Sequence, residues 1–192
     1  MRRFDGVIFD MDGTLIEPLL DFREIRADLG VPAGAGILET LDAMEPDLAR
    51  PLRQRLMAHE LAAARRAKLD PQAREILGEI RRAGLKTALL TRNADEAMKI
   101  VLERFDLKFD LTWSREHGPI KPEPDGVLRA CRELGIAPGR CACVGDFRYD
   151  LLAANAAGAV SVLLARGDRP DFAHLADHVI RELAELADIL EL

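Results

Sequence analysis

Short apolar runs that recur between helical stretches constrain this chain more than any other feature. Val7-Ile8-Phe9, Lys86–Leu90, residues 141–144 and Val160–Leu164 are rich in Val, Ile, Leu, Ala and Cys, and polar or glycine-containing segments follow them. Runs of this length without polar alternation read as strands buried on both faces. Helices are expected between them at 94–104, capped by Asn93, at Asp125–Leu134 and at 151–157. Weaker strands are expected at 109–112 and His178–Ile180, and an amphipathic helix at the C-terminus. Strand–helix alternation of this kind requires a parallel sheet with right-handed crossovers, sandwiched by helices in a Rossmann-like α/β class.

One stretch breaks the alternation. From residue 16 to 69 only helical signals occur, at Phe22–Leu29, 35–44 and 46–68, the last opening on Pro46. A further helix is expected to start at Asp70-Pro71, with Asp70 as N-cap, and to end near Gly84. The expected organisation is therefore an α/β core of residues 1–15 and 70–192, interrupted by a small all-helical cap at 16–69.

The 192 residues are 48% hydrophobic and 31% charged, as in ordinary globular proteins, and the 5% of aromatics leaves the core to Leu, Ala, Ile and Val. A formal charge of −6 argues against a nucleic-acid partner, yet a local cation can still reverse the sign inside a pocket. No apolar run reaches membrane-spanning length, and Met1-Arg2-Arg3 passes directly into the first strand without a leader. Cys131, Cys141 and Cys143 are an odd count without framework spacing; Cys141 and Cys143 read as small hydrophobes in a strand. A cytoplasmic monomer or homodimer is expected.

In open α/β sheets ligands bind beyond the carboxyl ends of the strands. Asp10 and Asp12 follow the first strand at i and i+2, with Gly13, Thr14 and Leu15 turning the chain away. Two neighbouring carboxylates repel and are costly to desolvate, so a cation or a substrate is their natural partner; solvated turn residues are the alternative. Thr91-Arg92-Asn93 ends another strand, and its hydroxyl with the free N–H groups of the following helix makes an anion site, unless Thr91 and Asn93 are only a strand end and a cap. Lys121 sits in Pro119-Ile120-Lys121-Pro122-Glu123-Pro124, where prolines stiffen the loop around it. Gly145-Asp146 ends the strand at 141–144, with Asp150 four residues on; these oxygens suit a hard cation such as Mg²⁺, while Asp150 also fits a helix N-terminus.

The order Asp-x-Asp-Gly-Thr-Leu, then Thr91, then Lys121 between prolines, then Gly-Asp-x-x-x-Asp closely resembles the haloacid dehalogenase-like hydrolase superfamily. The insertion stands where the phosphoglycolate phosphatase-like branch carries its small helical cap. That resemblance implies a phosphoric monoester hydrolase acting on a small phosphorylated metabolite, with Asp10 as nucleophile forming an aspartyl-phosphate and Asp12 as general acid/base. It implies that Thr91, Arg92, Asn93 and Lys121 bind the substrate. Mg²⁺ would be held by Asp10, Asp146 and the Asp12 carbonyl, with Asp150 supporting or ligating through water. The family has a small residue after Gly-Asp, whereas Phe147 stands here, so its bulk either reshapes the metal side or packs beneath the loop.

Rival activities divide on single features. A dehalogenase needs neither metal nor proton donor, and a phosphonate hydrolase needs a cap lysine, for which Lys68 is the one candidate. A sugar-phosphate mutase stays open, while an idle interaction module would lack part of the set Asp10, Asp12, Thr91, Lys121 and Asp146. His174 and His178, at i and i+4, lack a completing acid or cysteine, and His117 lies near the Lys121 loop. The arginines Arg50, Arg53, Arg55, Arg65 and Arg66, with Glu60 among them, read as a solvated helix face, or alternatively as a reception for an anionic leaving group.

Overall fold

A computed structural model describes residues 3–18 and 20–192; Met1 and Arg2, whose path into the first strand the sequence implied, lie outside the described residues. Six parallel strands form one sheet: β1 (Gly6–Phe9), β2 (Lys86–Leu90), β3 (Leu111–Trp113), β4 (Cys141–Gly145), β5 (Val160–Leu164) and β6 (His178–Ile180). Their spatial order is β3-β2-β1-β4-β5-β6, so the chain leaves β1 on one side and returns on the other. The topological switch therefore falls beside β1, where a crevice opens at the carboxyl ends. Phe9 is opposite both Leu89 and Val144, so residues just past all three strands emerge along one edge.

Strand alternation divides the core between two faces. Val7, Phe9 and Leu89 pack beneath α4 (Ala73–Arg82) and α5 (Asp95–Phe105), while Ile8, Ala88 and Leu90 meet α6 (Asp125–Leu134) and α7 (Arg148–Ala157). Ala130, Ala153, Ala154 and Ala157 face the sheet from the second pair, and their small side chains let those helices approach closely. Burying a side chain such as Phe9 completely contributes about 2–3 kcal/mol. The three cysteines are buried and free, Cys141 and Cys143 within β4.

Between β1 and α4 lie α1 (Phe22–Leu29), α2 (Ile37–Asp42) and α3 (Pro46–Arg66). They enclose an apolar cluster of their own around Ile25, Leu29, Leu41 and Leu56. The far end of α3 joins the main core through Ala64, tying the insertion to the sheet side of the molecule.

Several boundaries differ from the sequence expectation. Gly36 delays α2 to Ile37. Asp70 does not cap a helix at Pro71; its carboxylate accepts the Gln72 N–H at 2.9 Å, closing a turn before α4 begins at Ala73. The strand expected at 109–112 lies at Leu111–Trp113, and α7 starts three residues early because Asp150 accepts the Phe147 N–H and seals its first turn. The last helix, α8, is only Leu186–Leu190. Nor does Asn93 cap α5, for a reason that lies in the site.

Candidate active site

Backbone pairing carries the functional residues past the strand ends. The Asp10 N–H donates to the Val144 carbonyl at 2.9 Å, and the Thr91 N–H donates to Trp113 at 2.9 Å, so both residues are held in the sheet's lattice. Gly13 then turns the chain at φ +74°, and a Cβ there would lie 2.1 Å from an Asp146 oxygen. No side chain fits between the first loop and the Asp146 carboxylate.

Lys121 is buried and donates three hydrogen bonds: to Asp10 Oδ1 at 2.5 Å, to Asp150 Oδ1 at 2.6 Å and to the Leu90 carbonyl at 2.7 Å. An ammonium has three protons, and all are engaged within the protein. Carboxylate oxygens of Asp10, Asp146 and Asp150 lie within 4.8 Å of one another. Burial disfavours the Asp10 charge and, with Asp150 and Asp146 adding repulsion, pushes its pKa well up although Lys121 opposes this. Burial likewise lifts Asp146 to about 7, with Asp150 adding repulsion. Lys121 is itself resisted by burial, but Asp10 and Asp150 more than compensate and raise its pKa.

The second acid of the first motif is directed elsewhere. Asp12 accepts a short hydrogen bond from Asn93 Nδ2, which is why Asn93 is not the cap of α5. Burial lifts Asp12 to about 6; the Asn93 bond pulls down, and the Glu60 charge pushes further up. Its carboxylate stands outside the trio of Asp10, Asp146 and Asp150. Thr91 is buried, and its hydroxyl oxygen accepts the Asn93 N–H at 3.1 Å, which leaves the hydroxyl proton for an anion.

Glu60 corrects the expectation of a solvated face. It is buried, pairs with Arg115, and accepts the Ala94 N–H at 3.2 Å, so a residue of α3 caps α5. Desolvation raises its pKa despite Arg115. The signal was available: Leu56, Glu60, Ala63 and Ala64 follow one helical stripe, and an acid there is buried. The arginines read with it behave as a solvated face, with Arg50 and Arg53 on exposed Asp47 and Asp42 and Arg55 on half-buried Asp28. Arg166, which no motif marked, grips the carbonyls of Gly13 and Thr14 and the Asp70 carboxylate, anchoring the chain as it leaves β1.

Other candidates fall outside. His117 accepts the Ser114 N–H at 3.0 Å in a local turn. His174 lies in a 3₁₀ turn and His178 in β6, so no shared helix face joins them. Lys68 is exposed beside Glu17. Phe147 is half exposed and stacks edge-on against Tyr149 and Phe172, away from any close-packed position under the loop.

A cleft of about 350 Å³ spans this floor and the insertion, lined by Asp10, Asp12 and Thr91 below and by Arg26, Ile37 and Glu39 above. A parallel sheet with acids at its switch point, under a helical insertion, defines an α/β fold with its polar cleft at the strand ends. The haloacid dehalogenase-like hydrolase family model matches residues 4–158, and the chain belongs to that family. A haloacid dehalogenase-like hydrolase domain-containing protein of Arabidopsis thaliana is 31% identical, covering 98% of this chain and 84% of its own length. The phosphoglycolate phosphatase of Chromobacterium violaceum is 26% identical over 100% of this chain and 98% of its own. Among solved structures, CbbY of Rhodobacter sphaeroides, crystallised with phosphate, has a TM-score of 0.74 at 23% identity and covers 98% of this chain and 100% of its own. That last likeness concerns the fold.

Proposed function

We propose that the protein is a Mg²⁺-dependent phosphatase that hydrolyses a small phosphorylated metabolite through an aspartyl-phosphate on Asp10. One observation carries the reading: the carboxylates of Asp10, Asp146 and Asp150 cluster together, two of them paired with buried Lys121, while Asp12 is held apart by Asn93 with a pKa of about 6. The donor set fits a hard cation, because Asp10, Asp146 and Asp150 offer oxygens only, and burial, with mutual repulsion added, raises the pKa values of Asp10 and Asp146, so a cation there would relieve both. With the Asp12 carbonyl they would hold Mg²⁺, which supplies charge neutralisation for a dianionic ester meeting a carboxylate.

Lys121 orients one Asp10 oxygen at 2.5 Å and leaves the other free to attack phosphorus. As the new O–P bond forms, the bond to the leaving oxygen breaks, and Asp12 donates its proton to that oxygen. Asp12 then removes a proton from water attacking the acyl phosphate, which releases inorganic phosphate and restores Asp10. The Thr91 hydroxyl and the backbone N–H groups of Asp12 and Arg92 stabilise the equatorial oxygens. Residues 16–69 act as a cap on a catalytic core of 1–15 and 70–192, excluding water and shaping the leaving-group side. Three free buried cysteines are compatible with a cytoplasmic setting.

The test is p-nitrophenyl phosphate hydrolysis with Mg²⁺ by wild type and Asp10→Asn. A loss of about 10³-fold or more is expected, since the nucleophile is removed. Equal rates would falsify the mechanism.

A further inference from the structure

Phe147, the residue after Gly145-Asp146, has no task in the mechanism. Aromatic residues are 5% of the chain, yet Phe22, Phe147 and Tyr149 line the same cleft above the acids. Phe22 opens α1 in the insertion and Phe147 belongs to the core, so rings reach the cleft from both parts of the molecule. Phe22 is 51% exposed and Phe147 45%. Large apolar side chains left open beside the polar groups of a cleft mark a ligand groove.

The Phe147 ring is braced from behind. Its centroid lies 5.1 Å from that of Tyr149 at 88° and 5.7 Å from that of Phe172 at 71°, both edge-to-face. Phe172 packs in turn on the buried cluster of Leu151, Leu163 and Ala173. The Arg148 Cζ stands 5.6 Å from the Phe147 centroid and 5.4 Å from that of Tyr149. A fixed aromatic array therefore presents ring surface to the cleft, where a further ring can continue its pattern.

Polar groups of the roof are already engaged. Arg26 donates to the Ala35 and Phe22 carbonyls at 3.0 Å each, Glu39 pairs with Arg92, and Glu60 with Arg115. A leaving group rich in hydroxyls would leave polar atoms unsatisfied there, at a cost in affinity. Beside those engaged groups stand Leu20, Ile37, Leu38 and Leu56.

We infer that Phe147, with Phe22 from the insertion, holds an aromatic or heteroaromatic ring of the leaving alcohol, so that phosphate esters bearing such a ring are preferred. The inference rests on the phosphatase reading and deepens it by naming the leaving group. A cleft of about 350 Å³ lies at the small end of ligand pockets, which leaves space for the phosphoryl group and one ring. The bulk after Gly-Asp then has a use: it sets specificity one residue beyond the acid trio without touching the reacting atoms.

Benzyl phosphate and cyclohexylmethyl phosphate test this with Mg²⁺ present. Both release a primary alcohol of similar acidity with the same number of carbon atoms. The saturated ring is the more apolar, so burial alone would favour it. Wild type should instead favour benzyl phosphate in kcat/KM by about 3–10-fold, the range of one aromatic pair, chiefly through KM. Phe147→Leu, which keeps an apolar side chain, should bring the ratio to one or below, whereas Phe147→Tyr should keep it. Because Phe147 adjoins Asp146, any disturbance of that acid falls on both esters and cancels in the ratio. Phe22→Leu should lower the ratio too, and it decides the matter should Phe147→Leu fail to fold. A wild-type ratio near or below one, or a ratio unchanged in Phe147→Leu, overturns this inference alone, provided either ester or p-nitrophenyl phosphate is hydrolysed. Sedimentation that shows wild type pairing and Phe147→Leu not, beside a ratio near one, assigns the rings to a second copy of the chain instead. If none of the three compounds turns over, the phosphatase reading falls and this inference with it.

Discussion

At the floor of the cleft Lys121 places all three of its protons on Asp10, Asp150 and Leu90, whereas in the roof Arg92 meets one carboxylate and leaves a nitrogen unpaired. The floor is also the more deeply enclosed region: Lys121 and Asp150 are 8% and 7% exposed at the side chain, against 47% for Glu39. Ion pairs among the insertion's outer residues, such as Arg53 with Asp42, are open to water and worth little individually. A charge network out of water is held at one geometry because each broken contact leaves a desolvated charge. Glu39 carries little of that penalty, because water already reaches its carboxylate.

A pair of glycine substitutions gives the widest separation between the two regions. Gly13 and Gly30 both have positive φ, at +74° and +67°, but a Cβ at Gly30 meets nothing within 4 Å while one at Gly13 strikes Asp146. Gly13→Ala should lower kcat/KM by about 10²-fold or more, because Asp146 must move by about an ångström. Gly30→Ala carries the backbone cost alone, about 1–2 kcal/mol of stability, and its kcat/KM should stay within a few-fold of wild type. Equal kinetic losses at the two positions would erase the distinction between floor and roof.

Metal and pH give the next effect. Asp146 titrates near about 7 in the folded, metal-free protein against 3.8 for an ordinary aspartate, and Asp10 is raised with it. Between those values the folded form keeps protons that the unfolded chain has lost. Metal-free stability should therefore be highest below pH ~4 on this account and fall as pH rises toward 7. Saturating Mg²⁺ should reverse the fall, raising Tm most at pH 8 and releasing protons on binding, which calorimetry in two buffers can count. A Tm at pH 8 that ignores Mg²⁺ would detach the acid trio from any metal role.

The smallest expected effect probes the joint between the regions. Glu60→Gln leaves Arg115, 13% exposed, without its buried counter-charge and should cost about 1–3 kcal/mol, or several degrees in Tm. Loss of the Glu60 charge should also lower the Asp12 pKa from about 6, moving the corresponding limb of the pH–rate profile to lower pH by less than one unit. A profile that stays in place would show that α3 braces the core without tuning its acid.

Much of this architecture is legible in the chain because it rests on local rules. Apolar runs without alternation specify buried strands, and a strand's end specifies where Asp10, Thr91 and Asp146 emerge. Boundaries were less legible where a distant side chain supplied the terminating bond: Asn93 is drawn off α5 by Asp12, and Glu60, from another helix, takes its place. The direction of Asp12 was equally hidden, since i and i+2 spacing after a strand does not say that one carboxylate turns to Lys121 and the other to an amide 81 positions away.

The sequence by itself determined the parallel sheet, the helical insertion, the family and the identities of the acids, hydroxyl and lysine at the strand ends. Tertiary structure alone decided their partners: that Lys121 has no free proton, that Glu60 is buried, that Arg166 grips the first loop, and that Arg92 keeps one buried nitrogen unpaired. The reason is range. Strand propensity and helix periodicity act over a few residues, while the energies of buried charges depend on groups brought together from opposite ends of the chain.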